Sequence, residues 1–311
     1  MDNSSSQSQT PTTEGWFWQG LFPTIIDLLA ILGIFFVAQI IGVIAANAMG
    51  YGYDNAELYS ASEAVVSQAQ RSVGSFSLVS YTITILLTIV ATLVLRRLRG
   101  GRGRVVRFSW LGFNPSILLW GMLLLIVVSV IFEPLIAYLP TPPEVMGRGW
   151  AMILTVVVVA PLFEEFLCRG VILESVRAKS GVWRACIISS IFFGVLHLHP
   201  ASVVNAIIVG LLLSYLCVRT NSIFAPIILH AFNNALAYMF LWLGVSDVTL
   251  RSLLSNDYLY WTVYGVALLL FIFSMYKVIR TLSALKKDEN ADVQEPAFVE
   301  SDSDIFPQQE E

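Results

Sequence analysis

Charge is what this chain has least of. Only 13% of its 311 residues are Asp, Glu, Lys or Arg, 56% are hydrophobic, and the mean hydropathy is +0.73. One soluble core cannot hide that much apolar surface, so an ordinary water-soluble domain is excluded, as is a basic nucleic-acid-binding module. Cysteine is scarce too. Cys168, Cys186 and Cys217 stand singly inside apolar runs, without the spacing of a disulfide framework or a zinc knuckle, and read as small core residues. Histidine occurs three times, at His197, His199 and His230, never in a polar tail. No internal repeat is present.

What the chain has instead is long apolar runs, near residues 24–49, 76–95, 117–139, 150–173, 183–199, 203–218, 222–243 and 258–279. A membrane-spanning helix needs roughly 20 such residues, and most of these runs qualify. The first has small residues ("AANA", 45–48) that suggest a cleavage site, but it lacks a basic flank and is too long for a signal peptide. The expected fold is therefore all-α, a polytopic membrane bundle of about eight helices. Two runs invite exceptions: 203–218 is short, and the one before it ends in "HLHP" and is a place to tilt, break or dip.

Basic residues orient the bundle. "RRLRGGRGRVVR" (96–107) carries six arginines, and Lys277 at the end of the last run is followed by Arg280, Lys286 and Lys287, which places both stretches on the cytoplasmic side. An even number of helices then leaves both termini cytoplasmic, with the cell (inner or plasma) membrane as the expected location. The organisation reads as a polar, disordered tail over 1–23, two membrane helices with a basic loop over 24–114, a central membrane unit over 115–243, a loop and last helix over 244–287, and an acidic disordered tail over 288–311.

Within the central unit, "EEFLCR" (164–169) puts three charges into an apolar helix. A charge at mid-membrane costs on the order of 3 kcal/mol, more than the neighbouring apolar residues return, so these groups must face protein or a wet cavity. Glu165 and Arg169 are an i, i+4 pair with the acid first, the favourable order. Glu164 points about 100° away and is left for other work. His197 ends "FFGVLH", one turn beyond Phe193. His230 opens "HAFNN", with Asn233 and Asn234 three and four residues on. Counted from the cytoplasmic Arg177, Arg184 and Arg219, Glu164, His197 and His230 lie at one depth, roughly 16 to 20 Å in. Pro161 and Pro226 stand just upstream of Glu164 and His230 and can open their helices. His199, two residues from His197, would point to the opposite side of a regular helix, and reads as interfacial. Asn205, Gly210 and Ser214 read as helix-packing residues.

E-E-x-x-x-R at 164–169, F-x-x-x-H at 193–197 and H-x-x-x-N at 230–234, in that order on successive membrane helices, resemble the CAAX prenyl protease and bacteriocin-processing family of intramembrane endopeptidases (CPBP, or Abi). The resemblance covers about residues 115–243. It implies that Glu164, assisted by His197, is the general base that activates water. His230 and Asn234 would donate to the oxyanion, and Glu165, Arg169, Phe193 and Asn233 would support them. On that reading no cofactor is needed, and the partners are the lipid bilayer and a membrane-anchored protein or peptide substrate, not nucleic acid.

Three alternatives stay open. Glu164, His197 and His230 can instead hold Zn²⁺ with an open fourth position, as two-His-one-Glu hydrolases do. A proton-coupled transporter also keeps Glu, His and Asn at mid-membrane. A non-catalytic scaffold or immunity protein would carry the same helices without using the motifs.

Overall fold

The computed structural model describes residues 22–101, 105–140, 147–245, 248–254 and 256–294, with side chains as far as Leu285. The polar N-terminal tail before Phe22, the acidic tail beyond Gln294, Arg102 and Arg104 of the basic loop, and most of the 140–149 loop lie outside these residues. Among the described residues every regular element is helical. Seven helices are long and apolar enough to cross a membrane: α1 (Ile25–Ala48), α2 (Glu63–Leu98), α3 (Pro115–Ile136), α4 (Trp150–Ser180), α6 (Pro200–Thr220), α7 (Phe224–Trp242) and α8, whose span is Asp257–Leu285. The chain is an integral membrane protein with an all-α polytopic fold.

The eighth expected span differs. α5 (Val182–Val195) is a helix of only 14 residues. At 1.5 Å per residue it covers roughly 21 Å, short of a 30 Å hydrocarbon core. A non-helical turn, residues 196–199, follows it before Pro200 opens α6. Leu198 in that turn adopts φ +63°, a left-handed conformation uncommon for a branched side chain.

Polar contacts fix which helix ends share a side. At one end Asp27 caps the start of α1 and binds Arg99 after α2 at 2.9 Å. There too, Arg107 reaches Glu174 of α4 at 2.8 Å and Asn221 after α6 at 3.1 Å. Ser116 at the start of α3 lies 3.4 Å from Thr281 near the end of α8. At the other end the backbone of Arg148 bonds Gln70, and Ala201 bonds Pro140. The arginine-rich loop therefore sits with the start of α1 and the end of α8, as an even number of passes requires.

α1 packs on α2, α5 on α6 and α3 on α8, while α7 runs between α3, α6 and the middle of α4. Two apolar clusters result. Ile31, Ile85, Leu167, Ile172 and Phe192 form one around α4, and Ile117, Leu124, Leu213, Leu229 and Val278 form the other. The three cysteines are free and buried, as small core residues. Gly210 lets α6 approach closely: a Cβ there would stand 3.2 Å from the Phe193 ring and 3.3 Å from the Arg169 guanidinium. Ser214, one turn on, meets Ser190 of α5 at 3.3 Å, so the small-residue stripe of α6 is a packing surface.

Candidate active site

α4 carries the two glutamates near its middle, where its backbone widens twice. Residues 154–159 and 166–173 are π-helical, and between them runs an ordinary helical stretch, Ala160–Glu165. π-Turns of this kind are rare and concentrate at functional sites. Pro161 exposes one consequence. The N–H of Ala160 bonds Thr155, and the next donor that could reach the Val156 carbonyl in the wide register is residue 161, which as proline has none. The Asn234 amide of α7 takes that carbonyl at 2.9 Å. One of its two N–H donors is thereby used and the other remains.

The adjacent glutamates have opposite surroundings. Glu165 is fully buried and its Oε1 accepts from Arg169 at 2.8 Å and faces Nδ1 of His230 at 2.9 Å. Arg169, also fully buried, donates to the Gly210 carbonyl at 3.1 Å and lies 4.6 Å from the centre of the Phe193 ring, a cation–π contact. Phe193 meets both histidines edge-on, with ring centres 4.9 Å from His197 and 5.3 Å from His230. The expected supporting set of Glu165, Arg169 and Phe193 is thus one packed cluster that holds His230. Asn233 lies 3.5 Å from the Asn234 carbonyl oxygen, at the limit of a hydrogen bond.

Glu164 opens instead into a cavity of about 500 Å³, which it lines with His197, His199 and Asn234. His230 Nε2 stands 3.7 Å from its Oε2, too far for a hydrogen bond but close enough for charge to be felt. His197 falls just past the end of α5 rather than on it. Its Nδ1 lies 3.0 Å from the Phe193 carbonyl, which can only accept, so Nδ1 carries the proton and Nε2 is free. His199, expected to point away, lines the same cavity because the chain turns at Leu198 instead of continuing as helix. A second cavity of about 480 Å³ adjoins on the far side of His197 and Asn234, lined by His230, Asn233 and Asn205. Asn205 therefore faces a cavity rather than only packing.

Sequence reasoning missed Tyr81. It reaches in from α2, and its hydroxyl donates to Glu164 Oε1. The signal was available in part: Ser77, Ser80, Tyr81 and Thr84 follow i, i+3, i+4, i+7 spacing, a polar stripe along one face of the helix, and all four line the Glu164 cavity. As for metal, no group of three His, Cys, Asp or Glu among the described residues is arranged to hold an ion. Glu164, His197 and His230 are not grouped as a two-His-one-Glu site would be, although each histidine uses only Nδ1 on a protein acceptor and leaves Nε2 uncommitted.

Residues 146–236, less than a third of the chain, match a family model described as "Rce1-like: Type II CAAX prenyl endopeptidase Rce1-like". The chain is also 30% identical over 83 residues to YdiL of Bacillus subtilis (strain 168), itself named only provisionally as a membrane peptidase. That match takes in 27% of this chain and 34% of the relative, so it spans about a third of that protein's length. No solved structure matches. Every motif residue of the candidate site lies inside the matched segment; Tyr81 lies outside it.

Proposed function

We propose that the protein is an intramembrane endopeptidase that hydrolyses a peptide bond of a membrane-associated protein or peptide, with CAAX-type C-terminal processing as the substrate class the family likeness suggests. The observation that carries this reading is the convergence of Glu164 from α4, His230 and Asn234 from α7 and His197 from the turn after α5 on two adjoining cavities. Water beside Glu164 would lose a proton to the carboxylate, with the free Nε2 of His197 holding the water's second hydrogen. The water oxygen then bonds the peptide carbonyl carbon. The resulting oxyanion takes hydrogen bonds from the second Asn234 N–H and from His230. Because His230 Nδ1 faces Glu165, donation from Nε2 requires the doubly protonated ring, with Glu165 as its counter-ion. Two carboxylates, Arg169 and that imidazolium then sum to zero charge. Collapse breaks the C–N bond as Glu164 returns its proton to the leaving nitrogen.

Proteomics of membrane fractions from cells carrying the native chain or a Glu164→Ala variant tests the activity. Protein termini that vanish with the variant name the substrate, and identical terminomes would overturn the reading. The arginine-rich end is the cytoplasmic one in this proposal, together with both termini. In a cysteine-free background, Leu98→Cys should be labelled only from the cytoplasmic side and Tyr138→Cys only from the other; both positions are exposed. The reverse pattern would invert the topology.

A further inference from the structure

Resting on that reading, we infer that Tyr81 is a positioning residue for the base: its hydroxyl pins one oxygen of Glu164 so that the other, Oε2, receives the proton from water. The observations are geometric. The carboxylate can only accept, so the bond runs from the Tyr81 hydroxyl to Glu164 Oε1. Oε2 is the oxygen turned toward His230, 3.7 Å away, where the oxyanion donors lie. A glutamate at the edge of a 500 Å³ cavity has several rotamers open to it, and among the described residues no other group lies within hydrogen-bond distance of its carboxylate. The tyrosine is better held. Its ring packs against the apolar cluster of Ile31, Ile85 and Leu167, and a phenol has few torsions to lose.

Tyr81 keeps its proton throughout. The water proton goes to Oε2 and from there to the leaving nitrogen, while the Tyr81 O–H remains on Oε1, so no extra donor or acceptor enters the reaction. The inference also gives the N-terminal hairpin a task. α1 and α2 lie outside the matched segment, yet α2 completes the site by supplying the residue that aims its base.

The test uses full-length protein in nanodiscs and an internally quenched peptide library, read on the peptide that the native chain cleaves fastest. Tyr81→Phe should lower kcat roughly 10- to 100-fold with KM within about twofold, the size expected when a reacting group is held about 1 Å from its best position. Tyr81→Ala should regain part of its activity with millimolar phenol and none with benzene, which fills the same space without a hydroxyl. Unchanged kcat in Tyr81→Phe, a loss carried by KM alone, or equal rescue by benzene would each overturn the inference. Glu164→Gln, run beside them, separates the two levels. Its full activity would remove the base itself, whereas an inactive Glu164→Gln beside a fully active Tyr81→Phe removes only the role of Tyr81.

Discussion

Glu164 and Glu165 are neighbours in sequence and opposites in setting. Glu165 has no exposed surface and shares one oxygen between a guanidinium and an imidazole. Glu164 shows 13% of its side chain to a cavity and, among the described residues, has one hydrogen bond, from Tyr81. The 100° step between adjacent helical residues creates this division. Burial with partners makes a carboxylate part of the scaffold, whereas one anchor at the edge of a cavity leaves the other available, as the proposed base must be. Each experiment below breaks one side of that contrast.

The largest effect is expected at Glu164. Glu164→Gln keeps the shape and the Tyr81 contact but removes the base, so cleavage should fall roughly 10²- to 10⁴-fold. Melting of the purified protein in detergent should move far less than in Arg169→Ala, because the bonds from Arg169 and His230 to Glu165 stay in place. Cleavage at the native rate would end the base role, and a melting temperature lowered as far as in Arg169→Ala would mean that Glu164 belongs to the scaffold after all.

Arg169 tests the other side. Arg169→Ala leaves fully buried Glu165 with only the His230 contact on its shared oxygen and should cost about 3–5 kcal/mol of stability, as breaking one partner of a buried pair does. The low yield or early melting this predicts should be partly repaired in the double variant Glu165→Leu, Arg169→Met, which buries no charge. Activity should not return with stability, since His230 has then lost the carboxylate on its Nδ1. A single Arg169→Ala variant as stable as the native protein would show that this cluster is not the scaffold proposed here. Glu165 Oε2 and Arg169 Nε have no hydrogen-bond partner among the described residues, which leaves the cluster dependent on the shared Oε1.

The difference between the two glutamates was only half legible in the sequence. The Glu165–Arg169 pair followed from i, i+4 spacing, and the long apolar runs gave the helices. The bond from His230 to Glu165 joins residues 65 apart and depends on how α7 packs on α4, which no local pattern encodes. α5 was read too long because Leu196 and Leu198 continue its apolar run, while the break comes from the left-handed backbone at Leu198 and from Pro200 beyond it. That same turn reversed the expected direction of His199, which rested on helical geometry that ends at Val195. Tyr81 was missed because a single tyrosine in an apolar helix has no motif. Only the stripe it shares with Ser77, Ser80 and Thr84 marks it.

Smaller effects are expected from the oxyanion side, and they sharpen the contrast by separating substrate binding from catalysis. Asn234→Ala removes one N–H from the cavity and another from the Val156 carbonyl. Loss of an oxyanion donor should lower kcat by roughly 10²- to 10³-fold with little change in KM, because the oxyanion exists only beyond the ground state. His230→Ala should do the same. A rise in KM at constant kcat, measured by steady-state kinetics, would move both residues from transition-state donors to substrate anchors.

The smallest effect is expected from metal removal, where the prediction is no change. A catalytic zinc needs three protein ligands in its first sphere, about 2.0–2.2 Å from the ion, with a further position open for water. Here His230 turns Nδ1 to Glu165, and its Nε2 is 3.7 Å from Glu164 Oε2, while His197 turns Nδ1 to a backbone carbonyl. A nitrogen and an oxygen that close can flank one ion, so the decisive shortfall is the third ligand: His197 joins neither of them in a metal-holding group. The chemistry proposed for Glu164 needs only a carboxylate, water and donors for the oxyanion. Protein dialysed against a strong chelator should therefore retain its cleavage rate, and elemental analysis should find no metal that tracks activity through removal and restoration. One equivalent of zinc whose loss and return carry the activity with them would show that the three side chains close around an ion, and Glu164 would then be a ligand rather than the base.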